Sequence, residues 1–159
     1  MPENYAVKQI SPFSIHRLMQ VENILFKCGK NMAEEQNLHH WDNSHIKNAV
    51  IVCLCALKNK IYLVFDDVTP IATYQTKVIG DNFRFQKLAT TPDFSGRGIG
   101  SFCMREIERQ ASNSGCKSVC CEVYDKSTHA INFYKHKGYV VVGKEETLKY
   151  TELIMEKAL

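Results

Sequence analysis

The stretch from Lys87 to Ser101 constrains the fold of this chain more than any other. The run Phe83-Arg84-Phe85-Gln86-Lys87-Leu88-Ala89-Thr90 reads as a strand stopped by Pro92, and the glycine-rich turn Ser95-Gly96-Arg97-Gly98-Ile99-Gly100-Ser101 follows. Beyond it, Ile99, Cys103, Ile107 and Ala111 recur at four-residue steps, the period of one helix face. A strand therefore feeds a helix through a turn with little side-chain bulk. Gly96, Gly98 and Gly100 let backbone N–H groups approach a ligand with no Cβ in the way. The helix N-terminus behind them offers unpaired donors and partial positive charge. Together these make an anion site suited to a pyrophosphate, to which Arg97 adds a cation and Ser101 a hydroxyl.

Several readings of such a turn compete. A Walker loop ends in Gly-Lys-Ser/Thr, whereas Gly100-Ser101 has no lysine between. A dinucleotide fingerprint is G-x-G-x-x-G beside the first strand, whereas this order is G-x-G-x-G past the midpoint of the chain. A turn that binds nothing is the remaining alternative.

Composition sets the outer bounds. A length of 159 residues, 45% apolar and 23% charged, suits one globular domain over residues 1–159. The net charge of +3 suits a small anionic ligand and is too weak to argue for nucleic acid. The opening Met1-Pro2-Glu3-Asn4 lacks a basic region before an apolar run. The longest apolar run, Ala49 to Leu57, is too short to span a membrane. A cytoplasmic protein with no membrane partner is the expectation. The seven cysteines (28, 53, 55, 103, 116, 120 and 121) are odd in number and contain no CxxC pair. They read as reduced, small hydrophobes, and no metal is expected.

The remaining elements follow from pattern. Tyr5 to Ile10 is a strand, and Ser11-Pro12 offers an N-cap and first-turn proline for a helix ending near Gly29. Asn31 to Asn43, with the single Trp, reads as loop plus short helix. Ser44 to about Lys58 reads as helix, against a competing strand reading of Val50 to Leu54. Ile61–Phe65 and Pro70–Ile79 are strands, with a hairpin turn at Gly80-Asp81-Asn82 leading into the third. After the Gly98–Asn113 helix come a strand Ser118–Tyr124, a helix capped by Ser127 or Thr128, and strands at Tyr139–Val142 and Lys149–Met155. This order is a mixed sheet with helices against it. Tyr74, Phe83 and Phe85 are read as core.

A second motif narrows the glycine loop. The stretch Glu122-Val123-Tyr124-Asp125-Lys126-Ser127-Thr128-His129-Ala130-Ile131-Asn132-Phe133-Tyr134-Lys135-His136-Lys137-Gly138-Tyr139 resembles Glu-Val-x-x-x-Asn-x-x-Ala-Ile-x-Phe-Tyr-x-x-x-Gly-Phe of the GCN5-related N-acetyltransferase (GNAT) family. The loop at Ser95–Gly100 is similar to that family's Arg/Gln-x-x-Gly-x-Gly/Ala. The resemblance covers the chain from about residue 60 onward, and the earlier part in element order only. It departs at Ser95, where the family has Arg or Gln, and at Ser127, where it often has Asn.

The resemblance implies an α/β (α+β) fold, with a mostly antiparallel sheet of six or seven strands flanked by about four helices. It implies an N-acetyltransferase using acetyl-coenzyme A and a primary amine, by direct attack without a covalent enzyme intermediate. A non-catalytic acyl-coenzyme A-binding or regulatory module is the alternative. Leu88, Ala89 and Thr90 would line the pantetheine arm, and Ser95, Gly96, Arg97, Gly98, Ile99, Gly100 and Ser101 would hold the pyrophosphate. Ser127 and Asn132 are further cofactor candidates. Tyr134 would protonate the departing thiolate, and Glu122 would act as base, directly or through water. The acceptor, a small-molecule or peptide amine, would bind near the first two helices with Trp41 as a wall. A homodimer is left open.

Overall fold

The computed structural model describes residues 4–159; the opening Met1-Pro2-Glu3, on which the leader reading rested, lies outside the described residues. The elements are β1 (Tyr5–Ile10), α1 (Ile15–Gln36), α2 (His45–Ala56), β2 (Lys60–Asp66), β3 (Thr69–Ile79), β4 (Asn82–Thr90), a 3-10 turn (Pro92–Phe94), α3 (Ile99–Asn113), β5 (Ser118–Tyr124), α4 (Thr128–His136), β6 (Val140–Glu146) and β7 (Thr151–Ala158). The seven strands form one sheet in the order β1-β2-β3-β4-β5-β7-β6. The β1–β2, β2–β3, β5–β7 and β6–β7 pairs are antiparallel, and β4–β5 is parallel. This is the mixed, mostly antiparallel sheet with four helices that the sequence led us to expect.

Contacts divide the chain into two compact units. The first takes the residues up to Lys77 together with Lys87–Arg105. Its core forms because α1 repeats apolar residues at helical spacing while β2 repeats them at alternate positions. Leu18, Val21, Ile24 and Leu25 of α1 pack with Ile10, Ile61, Leu63, Phe65 and Ala89. Each of the larger of these side chains contributes about 1.5–3 kcal/mol when fully buried.

Two helix boundaries differ from expectation. Ser11 does not cap α1. Its Oγ accepts from the Phe13 amide at 3.2 Å and its carbonyl from the Ser14 amide at 3.1 Å. Ser11-Pro12 thus closes a turn, the other setting that favours Ser followed by Pro, and Ser14 is the N-cap. Nor does Gly29 end the helix. The helix continues to Gln36 and closes at Asn37, with φ 54° and ψ 35°. The Asn37 and Leu38 amides both reach back to the Met32 carbonyl, Leu38 at 3.1 Å, a wider closure than the ordinary helical bond. Gly29 is small for another reason. An ideal Cβ there would stand 2.1 Å from the Trp41 carbonyl oxygen.

The α2 helix forms despite its β-branched run, with Ser44 Oγ accepting from the Lys47 amide at 3.2 Å as an N-cap. It buries Asn48 and Val52. Its other face carries Ile46, Val50, Leu54 and Leu57, all exposed, beside the exposed thiol of Cys53.

The second unit takes Val78–Gln86 and Glu106–Leu159. β7 pairs with β5 on one side and β6 on the other. Asn82, Phe83 and Arg84 of β4 pair with Ser118, Val119 and Cys120. Phe85, Tyr134 and Tyr139 form an aromatic cluster with centroids 5.6–6.2 Å apart. The side-chain cap expected at α4 is absent. Ser127 is the N-cap through its carbonyl, which takes the Ile131 amide at 3.0 Å, but its hydroxyl makes no cap bond. Its ψ of 67° departs from the extended conformation that aims an N-cap oxygen at the first turn.

The predicted face of α3 is buried throughout, with Ile99, Cys103, Ile107 and Ala111 at most 1% exposed. Tyr74, Phe83 and Phe85 are likewise buried.

Candidate functional site

The glycine loop is anchored before it begins. The Thr91 amide and hydroxyl both donate to the Ile71 carbonyl, at 2.9 and 3.1 Å. The Phe94 and Ser95 amides close the 3-10 turn on the Thr91 and Pro92 carbonyls, each at 3.0 Å. The chain then takes two left-handed residues, Gly96 at φ 75° and Gly98 at φ 76°, a conformation costing an L side chain roughly 1–2 kcal/mol. A Cβ on Gly96 would meet nothing within 4 Å, so the backbone angle, and not crowding, calls for glycine. The Gly98 carbonyl accepts from the Phe102 amide at 3.0 Å, which starts α3 at Ile99. The amides of Ile99, Gly100 and Ser101 fall in the first turn, where a helix offers no internal acceptor.

Ser95, Gly96, Arg97 and Gly98 are exposed, while Ile99 is buried as the anchor. The Arg97 guanidinium lies 4.8 Å from the Phe94 ring centroid, a cation–π contact that steadies it beside the loop. Alternating left-handed glycines ahead of a helix N-terminus suit a bound diphosphate. Residues present here therefore fit the pyrophosphate of a coenzyme A ester.

The strand leading into this loop has its own irregularity. Lys87, in β4, has φ 54°, rare for a non-glycine residue. Its Nζ sits 4.8 Å from the centroid of the Trp41 ring. The Thr90 carbonyl accepts from Cys28 Sγ at 3.0 Å. Burial pushes that thiol up to about 11, with the Thr90 hydrogen bond pulling the other way.

Trp41 belongs to a loop fixed to α1. Lys30 pairs with Asp42 at 2.5 Å. Glu22, buried on α1, takes His45 Nδ1 at 2.7 Å, and the His45 ring stacks on Phe26 at 3.5 Å. His40 is lowered to about 4 by burial first and by the nearby Lys87 charge second. The sequence reading named Trp41 but missed its seat, Gly29, and its partner, Lys87. A glycine inside an otherwise helical period was the available signal.

A groove of about 410 Å³ runs along another face of α1 in the same unit. His16, Gln20, Asn23 and Lys27 of α1 form one wall, and Pro70 and Thr91 face them. Sequence reasoning did not find it.

The remaining site candidates lie in the second unit. Tyr134 is buried, its ring edge-on to Phe85 and near Tyr139. The Tyr139 hydroxyl donates to Glu108 at 3.2 Å, and burial, reinforced by Glu108, raises its pKa. Glu122 is half-buried, and its Oε2 accepts from the Arg84 guanidinium. The parallel register Arg84↔Cys120 explains the pairing, since Glu122 lies two residues on along the same face. Asn132 is exposed and its carbonyl contacts His136 Nδ1 at 2.7 Å. Ser127 is buried. The structure thus sorts the predicted residues into two sets: Trp41 and Leu88–Ser101 in the first unit, Tyr134, Glu122, Ser127 and Asn132 in the second.

Comparison with known proteins gives this arrangement its class. A family model described as an acetyltransferase (GNAT) domain matches residues 58–141, just over half of the chain. The chain belongs to the GNAT acetyltransferase family. It is similar to an uncharacterised N-acetyltransferase, YjcF, of Bacillus subtilis strain 168, with 22% identity over 86 residues; the match spans 54% of this chain and 59% of that protein. In fold it is similar to PaiA N-acetyltransferase from Thermoplasma acidophilum, solved with coenzyme A (TM-score 0.74, 19% identity, 98% of this chain and 99% of that one). It is also similar to an acetyltransferase from Streptococcus agalactiae (TM-score 0.76, 14% identity, 99% of each chain).

Proposed function

We propose that the protein is an N-acetyltransferase, acting as one domain over residues 1–159, that moves an acetyl group from acetyl-coenzyme A to a primary amine within a ternary complex. One observation carries the reading. The two left-handed glycines, Gly96 and Gly98, lead directly from the end of β4 into the first turn of α3, as a diphosphate cradle requires.

Acetyl-coenzyme A, when bound, supplies the activated thioester. The amides of Gly96, Gly98, Ile99, Gly100 and Ser101 hold the diphosphate, with Arg97 supplying charge and Ser95 a short hydroxyl. Leu88, Ala89 and Thr90 receive the pantetheine arm, and an amide near Thr90 donates to the thioester oxygen. Ser127 and Asn132 add contacts from the start and middle of α4. Glu122 takes a proton from the attacking amine, directly or through water, and Tyr134 Oη gives one to the departing sulfur. A C–N bond forms, a C–S bond breaks, and the products are the amide and coenzyme A. Trp41, held over Lys87, walls the acceptor side. The site works in the cytoplasm, where acetyl-coenzyme A and reduced thiols coexist.

A thermal-shift titration with acetyl-coenzyme A tests the binding half, since one-site binding adds RT ln(1 + [L]/Kd) to stability. No upward shift would refute the reading. Thiol release with a panel of amines tests turnover; saturable binding without release would leave a binding module in its place.

A further inference from the structure

We infer that the acceptor is a small amine carrying a carboxylate, of the amino-acid class, held in the groove between α1 and Pro70–Thr91. The inference rests on the acetyltransferase reading above and adds the acceptor's chemistry to it; Trp41 is not among the residues lining this groove, so the groove replaces the Trp41 wall as the acceptor's seat.

The groove adjoins the segment assigned to the thioester. Cys28 ties α1 to the Thr90 carbonyl. Their immediate chain neighbours, Lys27 and Thr91, both line the groove. One residue step, about 3.8 Å, therefore separates its wall from the strand end where transfer is proposed. Its volume of about 410 Å³ lies at the low end for small-molecule sites, the scale of an amino acid.

Its charge selects the ligand. His16, Gln20, Asn23 and Lys27 stand at i, i+4, i+7 and i+11 on one face of α1. None of the lining residues is acidic. Gln20 accepts from Arg17 through Oε1 at 3.0 Å, which turns its NH2 into the end available for donation. The wall thus offers an ammonium, a ring nitrogen and amide donors to an incoming group. Glu22, next to Asn23 in the chain, binds His45, and Asp66, Asp67 and Asp93, which neighbour Thr69 and Thr91, do not line the groove. A polyamine would meet a cationic wall with no carboxylate to receive it. A carboxylate would meet donors matched to a single negative charge.

Full-length protein would be assayed for thiol release with acetyl-coenzyme A and, in parallel, the twenty amino acids, putrescine and spermidine. At least one amino acid should be turned over with kcat/KM ten-fold or more above either polyamine. For that amino acid, Lys27→Met should raise KM ten-fold or more, Lys27→Arg should largely retain it, and the acetyl-coenzyme A thermal shift should not change in either variant. A polyamine preferred over every amino acid overturns the inference. So does an unchanged KM in Lys27→Met, or no turnover of either class by a protein that acetyl-coenzyme A still stabilises. Loss of the acetyl-coenzyme A shift in the unaltered protein is a different result, because it removes the parent reading before any acceptor is added.

Discussion

Replacing Gly29 with alanine should reverse the usual sign of that substitution. Inside a helix, glycine costs about 0.8–1.0 kcal/mol relative to alanine, so alanine ordinarily stabilises. At Gly29 the new carbon would stand 2.1 Å from the Trp41 carbonyl oxygen and 2.8 Å from its carbonyl carbon. Ordinary contact between such atoms lies near ~3.5 Å. The obstacle is backbone, so it cannot rotate away. Relief requires α1 and the Trp41 loop to part by about 1 Å, which works against the Lys30–Asp42 pair and the seat of Trp41 over Lys87. Overpacking of this kind costs about 1–3 kcal/mol. After the gain in helix propensity, a net loss of up to about 2 kcal/mol remains. For a chain of this length that lowers Tm by up to about 8 °C. Urea denaturation measures the loss, and fluorescence of the single Trp (Trp41) reports the displaced loop in the native state. A Gly29→Ala protein with raised Tm and unchanged emission would refute the close seating of the loop on α1.

Four further outcomes are expected. Gly98→Val puts a β-branched residue at φ 76° and should abolish the acetyl-coenzyme A thermal shift while leaving a cooperative unfolding transition; a retained shift would remove Gly98 from the cradle. Tyr134→Phe should lower kcat by roughly 100-fold with the acetyl-coenzyme A shift intact, and an unchanged kcat would exclude it as the proton donor. His40 takes up its proton only near pH 4 when folded and near pH 6.5 when unfolded. The stability that rests on its neutral form is complete above about pH 6.5 and drains as pH falls to about 4. Urea midpoints of the parent should therefore fall more steeply across that window than those of His40→Gln, and parallel curves would contradict the burial of the ring. Cys28, raised to about 11, should resist iodoacetamide at pH 8, because the thiolate is the nucleophile; mass spectrometry showing early modification of Cys28 would refute its bond to Thr90.

The parts of this fold that could be read from the sequence were those governed by one local rule. The four-residue steps of Ile99, Cys103, Ile107 and Ala111 placed α3 and its inner face, and alternation in Phe83-Arg84-Phe85 placed β4. Gly29 was misread because a helical glycine has two uses, ending a helix or admitting a neighbour, and the neighbour here is 12 residues away in the chain. Ser11 was misread for a similar reason, since serine before proline serves a turn as well as a cap. The glycine turn ahead of α3 was legible because its requirement, backbone in a left-handed conformation at Gly96 and Gly98, is written in residue type. The Arg84–Glu122 pair and the Cys28–Thr90 bond were not, because each depends on register or packing across 38 and 62 residues. The groove on α1 escaped notice because His16, Gln20, Asn23 and Lys27 look like an ordinary solvated face until Pro70 and Thr91 stand opposite them.

The outward face of α2 has a practical consequence. Cys53 is the exposed thiol among the seven, and it sits within the stripe of Ile46, Val50, Leu54 and Leu57. A maleimide dye used at low stoichiometry should therefore mark one known position without mutagenesis. Its emission would then change only when something covers that stripe, which makes the unmodified sequence its own reporter of self-association during purification and storage.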